Sequence, residues 1–292
     1  MAQMQIPSAG LREEPRRKVR WQPWAKTALS LLMLAVFLFP VYWMIRTSMT
    51  PVTALYQNPP QIFPANPSMD AYLDNFVRNR DMLRYIGNSF IIATGTMVLS
   101  LLIAVPAAYA LARLPLKGKA LIMILLLSIQ MLPGIMMAMP LFIMFSRVGL
   151  IDNYAGLIFA DLIHSLPFAV ITLRPFFLGL PSGLEEAAKI DGCNKFSAFV
   201  RIILPLVKPG LMTVAVFCFL FGWGDFIFAL TLSSSDTVKP LTLGLYSFIG
   251  QYGTEWNNLM AVATIAALPI IVIFITMQRY VVGGVTSGAM KD

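Results

Sequence analysis

The sequence predicts an all-α integral membrane protein with six transmembrane helices. Three observations carry that prediction. Hydrophobic residues make up 58% of the chain and charged residues only 12%, mean hydropathy is +0.73, and six apolar runs are each long enough to cross a bilayer. A soluble domain carries about 25% charged residues. A hydrocarbon core of about 30 Å needs roughly 20 residues of helix.

The first run, Ala25 to Arg46, follows a basic segment at 1–24. Its stretch ALSLLMLAVFLFPVYWMI is too long for the hydrophobic region of a cleaved leader, and no small-residue cleavage site follows it. It reads as a retained span, with Trp21 and Trp24 where an interfacial aromatic belt belongs. Further spans are expected at Ile86 to Ala112, Ala120 to Phe145, Tyr154 to Leu178, Leu211 to Leu232 and Leu259 to Val282. Pro40, Pro106, Pro133, Pro140, Pro167 and Pro269 fall inside these runs. A bundle tolerates them because neighbouring helices satisfy the freed backbone groups.

Six of the 22 basic residues precede or edge the first span: Arg12, Arg16, Arg17, Lys18, Arg20 and Lys26. An even number of spans returns the C-terminus to the same side. That side also receives Arg113, Lys117, Lys119, Arg174, Lys189, Lys195, Arg201, Lys208, Arg279 and Lys291, which makes 16 basic residues against six on the other. The positive-inside rule places both termini in the cytoplasm. The expected organisation is a cytoplasmic segment at 1–24, a six-helix transmembrane domain at 25–282 and a cytoplasmic tail at 283–292. The net charge of +8 follows from this bias and requires no nucleic-acid partner. Cys193 and Cys218 are placed for neither a disulfide nor a metal site.

One long charged interruption stands in the second half, EEAAKIDGCNKFSAFVRIILPLVKP, from Glu185 to Pro209. Ser182 precedes Glu185 by three residues, the capping-box spacing, so a helix is expected to start there and run through Ala187, Ala188 and Ile190. Gly192 suits a left-handed helix end. Asn194 is placed to cap a second helix, in which Phe196, Phe199, Val200 and Ile203 form one apolar stripe. Pro205 and Pro209 then limit or kink it. The result is a helix–turn–helix at the cytoplasmic face, suited either to lie against its own bundle or to meet a soluble partner.

Glu186-Ala187-Ala188, Asp191-Gly192, Phe199, Ile202, Leu204-Pro205 and Pro209 closely resemble the EAA loop of ATP-binding-cassette (ABC) importer membrane subunits. The one departure is Cys193, where the family usually has Ala. YWMIRTSMTP after the first span, NSF at Asn88, PAAYALARLPLKGK from Pro106 and GWGDFIFAL from Gly222 are similar to carbohydrate-type permeases. The ending QRYVVGGVTSGAMKD resembles that of the shorter, MalG-like member of the maltose-transporter pair. The resemblance implies a type I importer transmembrane domain with a permease core at about 84–280 and a cytoplasmic coupling loop at 181–209. It implies a second homologous permease, two ATPase subunits that carry ATP and Mg, and a periplasmic or extracellular solute-binding protein. It assigns ATPase coupling to Glu186, Ala187, Ala188, Asp191, Gly192, Phe199 and Pro205. Thr286, Ser287, Gly288 and Lys291 become ATPase-contacting tail residues. By its residues the segment at 233–258 reads equally as an ordinary loop with an interfacial Trp; the resemblance makes Tyr252, Glu255, Trp256 and Asn257 contacts to the binding protein.

The chain is not expected to hydrolyse ATP or to bind a cofactor itself. A phosphate loop needs G-x-x-x-x-G-K-[ST], whereas the nearest stretch has Arg113 in place of the first Gly and Ala120 in place of Ser or Thr. Ionisable groups inside spans point to function. Asp161 and His164 lie three apart on one helix face, and Asp225 follows Trp223 in the fifth run. These four mark either a polar, aromatic path for sugar hydroxyls or hydrogen bonding between helices. An ion-coupled secondary transporter or channel is the alternative class, and a glycerophosphate the alternative cargo. A membrane-embedded enzyme is disfavoured by the lone His and the lack of a nucleophile motif.

Overall fold

A computed structural model describes residues 21–250 and 253–289, with side chains described for 24–250 and 253–278. Tyr252 and Lys291 lie outside the described residues, as do the side chains of Thr286 and Ser287, and Gly288 is described by its backbone alone. The chain divides into two units, Met1–Trp43 and Met44–Asp292. The first is described as the greater part of a 28-residue helix, Trp21–Ser48. Its apolar residues from Leu29 to Phe39 are exposed, and Phe39 leans on Trp43 with ring centroids 5.8 Å apart.

The second unit is organised around two helices packed along their length, Asp81–Arg113 and Tyr154–Leu178. Ala93, Thr96, Ser100, Ala104 and Ala108 fall three or four apart on the first, all fully buried, as are Ala160, Ser165 and Ala169 of the second. Small residues at this spacing let helix backbones approach closely, and their hydroxyls hydrogen-bond across the seam. Ser100 and Ser165 do so at 2.8 Å between their Oγ atoms. The Lys208–Gly224 helix closes the bundle against both. Its Gly222 permits the approach, since a Cβ there would stand 2.8 Å from the Ala93 Cα.

Four described helices are long and apolar enough to cross a membrane, or six spans if each of two bent pairs counts as one. One bent pair is the run expected at Ala120 to Phe145, and the other joins Lys195–Leu206 to Lys208–Gly224 at 78°. The Ala120 to Phe145 run splits into Lys119–Gln130 and Gly134–Val148, inclined by 97°. The break falls at Pro133, which is extended (ψ 131°); proline lacks an N–H and biases the preceding residue away from the helix. The Leu211 to Leu232 run starts earlier, at Lys208, and stops at Gly224. Asp225 is extended there, and its carboxylate accepts from the backbone N–H groups of Phe228 (3.3 Å) and Ala229 (2.9 Å). It thereby starts a separate short helix, Ile227–Leu232. Pro106, Pro140, Pro167 and Pro269 sit within helices, as expected.

At the end of the bundle opposite residues 181–209, the segment at 233–240 is pinned from below. Asn88 donates to the carbonyls of Thr237 and Lys239, both at 2.9 Å. Ser89 Oγ accepts from the Leu241 N–H at 2.8 Å. Asp152 accepts from the N–H groups of Ser234 and Ser235, and Ser235 holds its carboxyl below the usual carboxylate range. Tyr85 donates to Asp236 at 2.9 Å. That bond, with Lys239 beside it, likewise keeps the Asp236 carboxyl low. A two-stranded hairpin, Ile249–Gly250 with Gly253–Thr254, leads into the last helix, Trp256–Ala289.

Candidate functional site

Residues 181–209 form two arms about a turn. The first helix is Gly183–Ile190, but Ser182 does not cap it: its backbone is itself helical (φ −66°, ψ −33°) and its side chain makes no capping bond. A capping hydroxyl requires an extended backbone. Arg113, from the end of a different helix, shapes the approach to this turn by donating to the carbonyls of Leu180 (2.7 Å) and Pro181 (3.0 Å). Gly192 does adopt the left-handed conformation, at φ +81°. Asn194 caps the second arm by accepting from the Ser197 N–H at 2.7 Å.

The anticipated apolar stripe divides. Ile203 is buried and Phe199 packs inward, its ring 4.8 Å from that of Tyr109. Phe196 is 76% exposed, Ile190 is 87% exposed, and Val200 also faces out. Phe196 lies in the first turn of the arm, Lys195–Ala198, before a wider, π-type turn over Phe199–Ile203 that carries the inward-facing Phe199 and Ile203. Ala188 and Ala198 are buried. Glu186, Ala187, Asp191 and Pro205 face outward. The outer surface thus offers Ile190 and Phe196, with Val200 and Leu206 also exposed, among the acids Glu186 and Asp191 and the bases Lys189, Lys195 and Arg201.

Midway along the bundle, Asp161, His164 and Asp225 line one cavity of about 340 Å³, together with Phe221, Phe226 and Phe228. Asp161 is 4% exposed and accepts from Thr96 Oγ1 at 3.2 Å. The His164 ring stacks on Phe228 at 6.1 Å. Both Asp225 oxygens serve the cap described above, and its backbone carbonyl accepts from Thr242 at 2.5 Å. A lining of carboxylate, imidazole and phenyl rings suits groups with both polar edges and apolar faces. Trp223 is separated from the other three. It stacks on Phe219 at 5.7 Å in a core cluster with Met82, Tyr85 and Leu241. The three phenylalanines were not anticipated as lining residues, because in a chain this apolar a Phe carries no signal of its own.

At the end opposite residues 181–209, a second cavity of about 580 Å³ is lined by Glu255, Trp256, Asn257, Asn258, Thr254 and Tyr56, among others. Three of the four residues anticipated here therefore share one hollow. Tyr56, from the segment between the first two long helices, reaches the Thr254 carbonyl at 3.4 Å. Asn258 donates to Glu255 at 2.6 Å and accepts from Asn75 at 3.0 Å. Trp256 itself is 43% exposed.

A family model described as "Binding-protein-dependent transport system inner membrane component" matches residues 98–287. The sulfoquinovosyl glycerol transport system permease protein SmoH of Agrobacterium fabrum is 32% identical over 260 residues, covering 89% of this chain and 91% of that protein. The trehalose transport system permease protein SugB of Mycobacterium tuberculosis is 35% identical over 278 residues, covering 94% of this chain and 98% of that one. Among solved structures, a chain of a bacterial ABC transporter involved in the import of the acidic polysaccharide alginate superposes with a TM-score of 0.75 at 21% identity. That match covers 92% of this chain and 99% of the other, and it shows a shared fold.

Proposed function

The chain belongs to the binding-protein-dependent transport system inner membrane component family, and from that premise we propose that it is the permease subunit of an ABC importer for a carbohydrate. It is a non-catalytic membrane subunit, and ATP hydrolysis belongs to partner subunits. Family membership displaces the reading as an ion-coupled transporter or channel. The cargo assignment is supported by relatives named for trehalose and for sulfoquinovosyl glycerol and by the polar, aromatic lining around Asp161 and His164.

The observation that carries the reading is the outer surface of residues 181–209. Ile190 and Phe196 stand exposed on either side of Gly192, with Glu186 and Asp191 beside them. Large apolar side chains without cover mark a docking surface. In our reading Glu186, Ala187, Asp191, Gly192 and Pro205 lie on the coupling surface that meets an ATPase subunit bearing ATP and Mg, while the buried Ala188 and the inward-packed Phe199 seat that surface on the spans. Thr286, Ser287, Gly288 and Lys291 belong to a tail that reaches the ATPase pair. A solute-binding protein acts on the opposite side, where Tyr252, Glu255, Trp256 and Asn257 meet it. A second homologous permease completes the membrane assembly, and the uncovered apolar residues of the first helix face that partner or lipid. Both termini and residues 181–209 lie on the cytoplasmic side of the inner membrane.

The test is purification of the tagged chain from its own membranes in mild detergent, with identification of the proteins that accompany it. An ATP-binding-cassette ATPase and a second permease are expected in stable proportion to the tagged chain. Recovery of the folded chain without an ATPase would overturn the assignment.

A further inference from the structure

Arg113 and Glu185 face each other where three segments converge. These are the last residue of the Asp81–Arg113 helix, the carbonyls that follow the Tyr154–Leu178 helix, and the first turn of Gly183–Ile190. Arg113 Nη2 is engaged, donating to Leu180 and Pro181 at 2.7 and 3.0 Å. Its Nε stands 3.6 Å from Glu185 Oε1, beyond the usual N–H···O range of about 2.7–3.2 Å. Both atoms are buried, and neither has a hydrogen-bond partner among the described residues. The two side chains are only 13% and 30% exposed, so water does little to screen them.

The guanidinium already holds two carbonyls, and the Tyr109 hydroxyl lies against the Glu185 carboxylate. Arg113 Nε and Glu185 Oε1, opposite in charge and each buried and unmet, nonetheless stand a few tenths of an ångström too far apart for a hydrogen bond, a gap that a small shift would close. Charge-assisted bonds are the strong ones, and leaving a buried partner unmet is costly. The two sides are unequally anchored. Arg113 ends a helix with 11 buried residues, whereas the Glu185 helix buries only Ala188. The loop helix is therefore the less anchored of the two, while the carbonyls of Leu180 and Pro181 hold the guanidinium in place.

We propose that Arg113 and Glu185 form a latch, an ion pair at 3.6 Å here, that tightens to a direct hydrogen bond in one transport arrangement and relaxes in the other. It fixes how far the 181–209 loop stands from the spans when the ATPase moves. Arg113 is thus a positioning residue for coupling. This inference rests on the reading of residues 181–209 as the ATPase-docking loop.

The experiment uses the complete importer in proteoliposomes and compares Glu185→Gln, Arg113→Lys and the charge exchange Arg113→Glu with Glu185→Arg. Two quantities are read: ATPase retained on the purified complex, and sugar taken up per ATP hydrolysed. Glu185→Gln keeps the shape and the backbone contacts of Arg113. It is expected to retain the ATPase while lowering uptake per ATP about fivefold or more, the lower end of ordinary coupling factors between sites. Arg113→Lys should fall between Glu185→Gln and wild type, and the charge exchange should recover some of what either single charge change loses. An unchanged ratio in Glu185→Gln overturns the latch. Loss of ATPase from that variant also overturns it, by making Glu185 a docking residue. If instead Glu186→Ala and Ile190→Ser leave ATPase retention untouched, the docking reading itself fails, whatever Glu185→Gln does.

Discussion

Tyr154 donates its hydroxyl to the Asn88 side-chain oxygen at 2.7 Å, across the seam between the two longest-packed helices of the second unit. The same Asn88 amide nitrogen donates upward to the carbonyls of Thr237 and Lys239. One buried side chain, 3% exposed, thus joins two helices to the segment that closes the opposite end of the bundle. Asn88→Ala leaves a hydroxyl and two carbonyls without their partner and should cost about 1–3 kcal/mol. Asn88→Asp should be at least as damaging, because it keeps the acceptor for Tyr154 but sets a carboxylate against two carbonyl oxygens. Tyr154→Phe removes one bond and should cost about 1 kcal/mol or less. Melting of the purified complex ranks the three, and equal Tm loss in Tyr154→Phe and Asn88→Ala would contradict the network.

Gly222 predicts a steric penalty that its neighbour Gly224 does not share. A Cβ on Gly222 would meet the Ala93 Cα at 2.8 Å, Thr96 Oγ1 at 3.1 Å and Asp161 Oδ2 at 3.2 Å. The first of these is backbone and cannot rotate away. Gly222→Ala must therefore push the packed helices apart, at about 1–3 kcal/mol as for other overpacked cores. Gly224→Ala meets no described atom within 4 Å and should stay within about 0.5 kcal/mol, as an unencumbered position does. Comparing complex yield and Tm for the two variants checks the close approach, and similar losses would refute it.

The hydropathy profile reveals the bundle but not its seams. Asn88, Thr96, Ser100 and Ser165 are single polar residues within apolar runs, and no linear pattern says which helix each will meet. Asp225 shows the limit from the other side. It lies inside a stretch whose apolar residues run on to Leu232, so the run reads as one span, although an acid just before a new helix start is a capping signal. Ser182 shows the opposite failure. Its spacing to Glu185 satisfies a capping box, yet Arg113, 69 positions earlier in the chain, orders that corner by a contact local sequence does not encode. Gly192 and Asn194 were readable because a left-handed turn and an Asn cap depend on their own backbone.

Gly192 allows the coupling role of residues 181–209 to be tested apart from packing. At φ +81°, with no described atom within 4 Å of where a Cβ would be, its constraint is purely conformational. Gly192→Val forces a β-branched residue into the left-handed region, at a cost of about 1–3 kcal/mol, and should spare membrane insertion while uncoupling uptake from ATP hydrolysis. Gly192→Asn, which tolerates that region better, should retain most of the uptake. Glu186→Ala should reduce ATPase retained on the membranes. Wild-type uptake in Gly192→Val together with wild-type ATPase retention in Glu186→Ala would remove this loop from the coupling path.

Trp256 supplies the corresponding test at the opposite end. Its ring is 43% exposed at the edge of the 580 Å³ hollow, beside Glu255, Asn257 and Asn258. The Asn75–Asn258–Glu255 chain of hydrogen bonds holds the polar rim. A large aromatic face with fixed hydrogen-bonding neighbours suits stacking on a sugar ring or wedging into the cleft of a partner. If this rim draws sugar from the binding protein, Trp256→Ala should lower uptake and the stimulation of ATP hydrolysis by loaded binding protein. Trp256→Phe should restore some of both, since it keeps an aromatic face. Basal ATP hydrolysis should change little, because the hollow lies at the far end of the bundle from residues 181–209. An aromatic that only anchors the bilayer interface behaves differently: its loss lowers the amount of inserted protein and leaves transport per molecule intact. Uptake normalised to inserted protein separates the two, and an unchanged normalised value in Trp256→Ala would assign this residue to the membrane interface alone.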